Sequence, residues 1–235
     1  MRAVAVIMSK APIPGFTKTR LASGFSPVER ALIHKACLAD TVNACVDQGI
    51  RTEIHFTGGT KEDFARPLLD ADRSEAEAHR AIGRAASFVP QSEGDLGARM
   101  RGAFELALGA FDAAIVVGAD IPGIDGAILR DAIDRISSRD LVLGPAPDGG
   151  YYLIALKKPT PRLFDDIVWS RDDVAQRTIA KAAGLGLSVA MTEPRRDIDT
   201  PDDARAFLAD AERDLRLRRG LAWERLSKTT KRKDA

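Results

Sequence analysis

The most constraining stretch of this chain is the run at residues 113–117, Ala-Ala-Ile-Val-Val, followed at once by Gly118, Ala119, Asp120, Ile121 and Pro122. Five consecutive apolar residues, β-branched at three positions, are too few for a membrane span. They lack the polar alternation of a strand with one wet face. A strand buried on both faces satisfies the pattern, and such strands belong to parallel sheets covered by helices on either side. A carboxylate placed directly after such a strand stands where open α/β sheets bind their ligands.

The rest of the chain repeats this theme. Residues 2–8 and 50–57 read as further strands. Shorter strands are expected at 87–90, 141–144, 151–156 and 185–191. Helices are expected between them. Ser26-Pro27-Val28-Glu29 has the form of a capping box with proline in the first turn. It opens a helix whose Ala31, Leu38, Val42 and Cys45 form one stripe toward the sheet, with Gly49 ending it. Residues 94–110 join a glycine-bearing turn to a helix, and helices are also expected at 125–137, near 162–167, at 171–183 and from Thr200-Pro201 onward. Strand–helix alternation implies a mostly parallel central sheet with helices on both faces.

At 235 residues the chain suits one large domain, placed at 1–210. A basic segment, 211–235, follows as a helix or tail. The simplest expectation there is a frayed, solvated terminus. The alternative is a helix docked on a second copy of the chain, because Leu215, Leu217, Leu221, Trp223 and Leu226 lie among the charges; a homodimer is left open.

Bulk charge narrows the function classes. A net charge of +1 gives no basic face for nucleic acid. No run is long enough to cross a bilayer, and residues 2–8 lack the length and flanks of a signal peptide. Cys37 and Cys45 fall in one helix, about 12 Å apart along its axis, so they cannot pair and read as buried thiols of a cytoplasmic protein. None of His34, His55 and His79 has metal-ligand spacing with another His or a Cys.

Chemistry-bearing residues gather where strands end. The loop after the first strand carries Lys10, Pro12, Gly15, Lys18 and Arg20. Three cations on a proline-shaped loop suit a polyphosphate, although the spacing is not that of a Walker A motif. Asp120 can hold Mg²⁺ against phosphate oxygens, and magnesium needs only one or two protein carboxylates. Asp197 and Asp199 share one side of an extended segment and are candidates for the second ligand. Thr200, Asp202 and Asp203 read as the start of a helix. Asp148-Gly149-Gly150 combines a hairpin turn with glycines that let a ligand approach the backbone. Gly94, Leu96, Gly97 and Arg99 suit a base or phosphate resting near a helix start. Trp169-Ser170 supplies either a core tryptophan or an aromatic on the substrate side.

Taken in order, Lys10-x-Pro12-x-x-Gly15-x-x-Lys18-Thr19-Arg20-Leu21, Gly94-x-Leu96-Gly97-x-Arg99-Met100, Gly118-x-Asp120-x-Pro122, Gly144-Pro145-x-x-Asp148-Gly149-Gly150-Tyr151-Tyr152, Trp169-Ser170 and Asp197-Ile198-Asp199-Thr200-Pro201 form a set. This set resembles the small bacterial GT-A-like transferases labelled arsenosugar-biosynthesis or selenodomain-associated glycosyltransferases. It is also similar to the 2-phospho-L-lactate guanylyltransferases and, more distantly, to the molybdenum-cofactor guanylyltransferases. The resemblance covers residues 3–208. It implies a nucleotide-diphospho-sugar transferase (GT-A, Rossmann-like) fold. By position it implies that Lys18 and Arg20 hold phosphates, that Gly94 to Arg99 lie near the base, and that Asp120 and Asp199 bind Mg²⁺ or Mn²⁺ with help from Asp197. Asp148, Gly149, Gly150, Tyr151, Trp169 and Ser170 would face the acceptor. The first loop departs from the Gly-x-Gly-Thr-Arg pattern of the nucleotidyltransferases, and a second downstream lysine motif is absent.

Two reactions fit these residues. In nucleotidyl transfer, a phosphorylated or phosphonylated small acceptor attacks an NTP and releases pyrophosphate, with Lys18, Arg20 and Asp120 as catalytic groups. In glycosyl transfer from an NDP-sugar, Asp148 serves as base. A nucleotide-binding module without catalysis is the third reading. The cation-rich first loop favours the first.

Overall fold

A computed structural model of the chain describes residues 1–69 and 72–231. Its centre is a sheet of strands β1 (Ala3–Lys10), β2 (Arg51–Thr57), β3 (Ser87–Pro90), β4 (Ala113–Gly118), β5 (Leu141–Pro145), β6 (Tyr151–Leu156) and β7 (Val189–Met191). Among the described residues their spatial order is β3-β2-β1-β4-β6-β5-β7. All run parallel except β6, which is antiparallel to both β4 and β5. The Asp148-Gly149 turn that joins β5 to β6 causes this reversal, as the hairpin signal requires.

The helices are α1 (Pro27–Val46), α2 (Glu62–Ala65), α3 (Arg73–Ile82), α4 (Leu96–Leu108), α5 (Gly126–Ser138), α6 (Val174–Gly184), α7 (Pro201–Arg213) and α8 (Leu221–Lys231). Side chains of the central strands alternate between two cores. Ala5, Ile7, Ile115 and Val117 face α1, α3 and α5. Val4, Val6, Ala114 and Val116 face α4, α6 and Leu163-Phe164. This two-sided burial is why residues 113–117 carry no polar alternation.

The capping boxes at Ser26/Glu29 and Thr200/Asp203 both form, and Pro27 and Pro201 occupy the first turns. Three expected elements differ from the sequence reading. Residues 162–167 hold only a 3-10 turn, Pro161–Phe164. The helix expected from 171 starts at Val174. The last strand is confined to Val189–Met191, because α6 runs on to Gly184 and Gly186 turns the chain with φ 72°.

Helix α1 departs most from its expected single stripe. Leu38, Val42 and Cys45 face the sheet, while Ile33, Ala36 and Cys37 pack into a third core with Phe207, Ala222 and Leu226. The segment expected to fray therefore folds back as α8 on the outer face of its own α1. The apolar residues among its charges are the cause: Ala222 and Leu226 are fully buried. Asp40 on α1 accepts hydrogen bonds from the Leu221 and Ala222 amides (2.8 and 3.0 Å), and Arg225 pairs with Asp72 (2.7 Å). Leu215 remains exposed. Arg232 and Lys233 of the basic terminus lie outside the described residues. Among the described residues no helix is long and apolar enough to cross a membrane. Cys37 and Cys45 are buried free thiols.

Candidate active site

The carboxyl ends of β1 and β4 lie side by side because Met8 pairs with Gly118. The loop after β1 therefore reaches over the residues after β4. Thr17 anchors that loop through its hydroxyl, which donates to the Ala11 carbonyl (2.6 Å). The next residue, Lys18, adopts the left-handed conformation (φ 53°), rare for a non-glycine residue. From below, the buried Arg30 guanidinium on α1 reaches the Lys18 and Thr19 carbonyls (3.5 and 3.4 Å).

This backbone sends the Lys18 ammonium inward. It donates to Asp120 Oδ2 at 2.7 Å and to Asp199 Oδ1 at 2.9 Å. The lysine side chain is 4% exposed, while the two carboxylates are 33% and 39% exposed, so the acids keep a face toward solvent and the lysine does not. Arg20 stands at the rim, 3.7 Å from Asp199. The two acidic segments are joined by their backbones, since the Ile198 amide donates to the Asp120 carbonyl (3.1 Å). Ile198 is fully buried, which turns its neighbours Asp197 and Asp199 the other way, toward the cleft.

The electrostatics follow from this crowding. Burial opposes the Lys18 charge, but Asp120 and Asp199 outweigh it and hold the ammonium above the usual lysine range. Asp120 is likewise desolvated, yet Lys18 keeps its carboxyl below the ordinary value. Among the described residues Asp197 forms no ion pair, and Lys18 offsets its neighbours only weakly. Burial, then the charges of Asp120, Asp199 and Asp148, push it up to about 7. His34 Nε2 lies 3.0 Å from both Ser9 Oγ and the Lys10 carbonyl. A carbonyl only accepts, so Nε2 carries the proton. Burial and then Lys18 lower its pKa to about 4, so the ring is neutral.

Two cavities open above these residues. The larger, about 490 Å³, is lined by Lys10, Lys18, Arg20, Leu96 and Arg99 among others. The smaller, about 410 Å³, is lined by Asp148, Gly150, Trp169, Arg171 and Asp197 among others. Arg20, Leu96, Asp120, Tyr151, Ser170 and Asp199 border both. The carboxylate–lysine cluster thus stands at their junction.

Several residues expected to touch ligand do not line either cavity. Pro12 and Gly15 only shape the first loop, where Gly15 takes φ 88°. Gly94 makes the turn before α4 with φ 107°. Gly97 makes room for Trp169: a Cβ there would lie 2.7 Å from the indole ring. Gly149 (φ 86°) passes beneath the Asp172 carbonyl, which a Cβ would meet at 1.7 Å. Asp148, by contrast, does line the smaller cavity; it is exposed and also closes its own turn, accepting from the Gly150 amide at 2.9 Å.

Ser9, His34 and Arg171 line the cavities without having been expected there, and Gln91, which opens the segment leading through Gly94 into α4, lines the larger one. Gln91 follows β3 directly and donates to the His55 carbonyl (2.7 Å); a polar residue at a strand's carboxyl end was its available signal. His34 had none, because only tertiary packing of α1 brings it beneath the loop.

Among the described residues no three His, Cys, Asp or Glu side chains converge as a ready-made metal site. Asp197 therefore stands beside the pair Asp120 and Asp199 and does not complete a triad. An oxygen-only pair with partly exposed carboxylates fits Mg²⁺, which takes one or two carboxylates and fills its octahedron with phosphate and water.

A family model described as "Uncharacterized protein conserved in bacteria (DUF2064)" matches residues 47–171. The chain belongs to the DUF2064 family. The matched segment holds Asp120, the 148–151 turn, Trp169 and Ser170. Similarity to curated relatives extends further. The chain is 32% identical over 198 residues to a 2-phospho-L-lactate guanylyltransferase of Haloarcula marismortui, covering 82% of this chain and 80% of that one. It is 27% identical over 209 residues to the enzyme of the same name from Methanothermobacter thermautotrophicus, covering 86% and 82%. A crystal structure from Desulfovibrio desulfuricans G20, described as a candidate nucleotide-diphospho-sugar transferase, superposes with a TM-score of 0.82 at 27% identity over 97% of this chain and 95% of that one. This DUF2064 protein is a transferase with a GT-A-like fold, related to the guanylyltransferases.

Proposed function

We propose that this protein is a metal-dependent nucleotidyltransferase that moves NMP from an NTP to a small phosphorylated or phosphonylated acceptor and releases pyrophosphate. The observation that carries this reading is the meeting of two cavities at Asp120, Asp199 and Lys18. One cavity takes the nucleotide and the other the acceptor. The names of the curated relatives support the same reaction class.

In this mechanism an acceptor phosphate oxygen forms a bond to the α-phosphorus, and the α–β phosphoanhydride bond breaks. The electron pair leaves with pyrophosphate. An ionised phosphate oxygen is already a competent nucleophile, so no side chain has to remove a proton. Lys18 and Arg20 face the triphosphate and offset the charge that grows on the leaving group. Trp169, Gly150 and Tyr151 orient the acceptor, which supplies much of the rate through proximity. Asp120 and Asp199 are the residues that would hold Mg²⁺ or Mn²⁺, and that ion would neutralise α-phosphate charge.

Glycosyl transfer from an NDP-sugar is the second reading, supported by the description of the Desulfovibrio structure. The test incubates the protein with each NTP, Mg²⁺ and a panel of acceptors that includes 2-phospho-L-lactate, and measures pyrophosphate. Pyrophosphate release with one acceptor is the expected result, lost by about 100-fold or more in Asp120→Asn. Release of NDP from an NDP-sugar, with no pyrophosphate from any NTP, would overturn the proposal. Nucleotide binding without turnover in either format would support a silent binding module.

A further inference from the structure

Lys18 is placed unusually for a residue that greets phosphate. It does not extend into the larger cavity as a free cation. Its ammonium is spent on both carboxylates that would hold a metal, at 2.7 and 2.9 Å, and its side chain is 4% exposed. Arg20, on the same loop, is 70% exposed and pairs with Asp199 only at 3.7 Å, at the rim of the cavity. The left-handed backbone at Lys18 and the Arg30 contacts to its carbonyl and that of Thr19 fix where the side chain starts. Beyond that start a lysine stem has four carbons with rotatable bonds, and Lys18 borders the larger cavity.

We propose that Lys18 is a built-in counter-cation that occupies the charge of Asp120 and Asp199 in the nucleotide-free protein, so that a divalent metal gains the pair only when a polyphosphate draws the ammonium away. The inference rests on the nucleotidyltransferase reading for its ligand, a nucleoside triphosphate. Its physical basis is local. With Lys18 in place, its ammonium offsets one of the two carboxylate charges at the junction, and the exposed Arg20, 3.7 Å from Asp199, offsets part of the other. Mg²⁺ and Mn²⁺ gain little there, and must compete with two short charge-assisted hydrogen bonds. A triphosphate offers the ammonium stronger anionic partners. When Lys18 turns to them, Asp120 loses its ion-pair partner and Asp199 keeps only the exposed Arg20 at 3.7 Å, and the metal that accompanies the nucleotide restores neutrality. Metal then enters with the nucleotide and not before it. The two charged acids never face one another bare, which two desolvated carboxylates would resist.

The test titrates Mn²⁺ into the nucleotide-free full-length protein and follows free Mn²⁺ by electron paramagnetic resonance. Lys18→Met keeps the length of the side chain and removes its charge. Weak binding to the wild type, and binding tighter by about tenfold or more in Lys18→Met, is the expected result, because a unit charge about 3 Å from both acids is removed. The gain should vanish in Lys18→Met combined with Asp120→Asn. Equal or weaker Mn²⁺ binding in Lys18→Met would overturn the proposal, as would a gain that survives Asp120→Asn. If circular dichroism shows Lys18→Met unfolded, Lys18→Gln is taken through the same titration with the same two outcomes. The measurement contains no substrate, so pyrophosphate release decides the reaction separately. A protein that makes pyrophosphate but shows no Mn²⁺ gain would refute the counter-cation and leave the reaction standing. The converse result would refute the reaction alone.

Discussion

Adding one methyl group at Gly97 separates the acceptor cavity from the nucleotide cavity. Gly97 is the second residue of α4, and a Cβ built there lies 2.7, 2.9 and 3.0 Å from three atoms of the Trp169 indole. Carbon atoms pack at about 3.5–4.0 Å, so in Gly97→Ala the ring and helix must separate by about 1 Å. Two energies oppose each other. Overpacking costs about 1–3 kcal/mol, while alanine in a helix regains about 0.5–1 kcal/mol over glycine. Net stability should therefore fall by only about 1 kcal/mol, a shift of about 2–4 °C in Tm for a domain of this size. Function should suffer more. Trp169 lines the smaller cavity and is not a lining residue of the larger. Displacing a positioning group by about 1 Å can cost about 100-fold in rate.

The assay follows pyrophosphate release against acceptor concentration and against NTP concentration, with urea unfolding alongside. Gly97→Ala should lower kcat/KM for the acceptor by about tenfold or more while leaving NTP affinity within a factor of about two. Trp169→Phe, which shortens the ring, should recover part of the loss when combined with it. Weakened NTP binding with unchanged acceptor kinetics would refute the reasoning, because it would restore Gly97 to the nucleotide side. So would additive losses in the double variant, since contacting residues must couple.

Three further outcomes test the frame around the site. In Glu75→Gln the buried Lys35 (side chains 1% and 2% exposed) loses its counter-charge, and urea unfolding at pH 7 should show a loss of about 3 kcal/mol or more; under about 1 kcal/mol would contradict the pairing. Gly149→Ala forces a left-handed alanine, costing about 1–2 kcal/mol, and drives its Cβ into the Asp172 carbonyl. Activity and Tm should therefore fall together, unlike in Gly97→Ala. The third outcome concerns pH. Burial lifts Asp40 to about 6, against the backbone hydrogen bonds from Ala222 and Leu221. A carboxyl raised in the folded state contributes stability that is full below its unfolded value near 3.8 and is lost as pH rises through 6. That loss amounts to about 3 kcal/mol at most, and Asp40→Asn should flatten the stability profile between pH 4 and 7. An unchanged profile would show that Asp40 titrates normally.

What could be read from the sequence divides along a physical line. Local rules wrote β4, the Ser26 capping box, the helix start at Thr200 and the Asp148-Gly149 hairpin, because each depends on neighbours within a few residues. Asp120 and Lys18 were visible for the same reason, as charged residues just beyond buried strands. The bridge from Lys18 to Asp199 was not visible. Lys18 and Asp199 stand 181 positions apart, and the ion pair that joins them exists only because β1 lies beside β4 and Ile198 bonds to Asp120. The glycines mark the same boundary. Gly94, Gly97 and Gly149 stood out for their lack of a side chain, and closeness to ligand was the natural inference. In the fold, Gly94 supplies a turn, Gly97 yields space to an indole and Gly149 passes under a carbonyl. A glycine in sequence announces that something comes near or that φ is positive; what comes near is a tertiary fact. The C-terminal leucines make the point from the other side. Their pattern required an apolar partner, and α1 supplied it from the same chain, since Ile33, Ala36 and Cys37 form a second buried face that the stripe of Leu38, Val42 and Cys45 did not use.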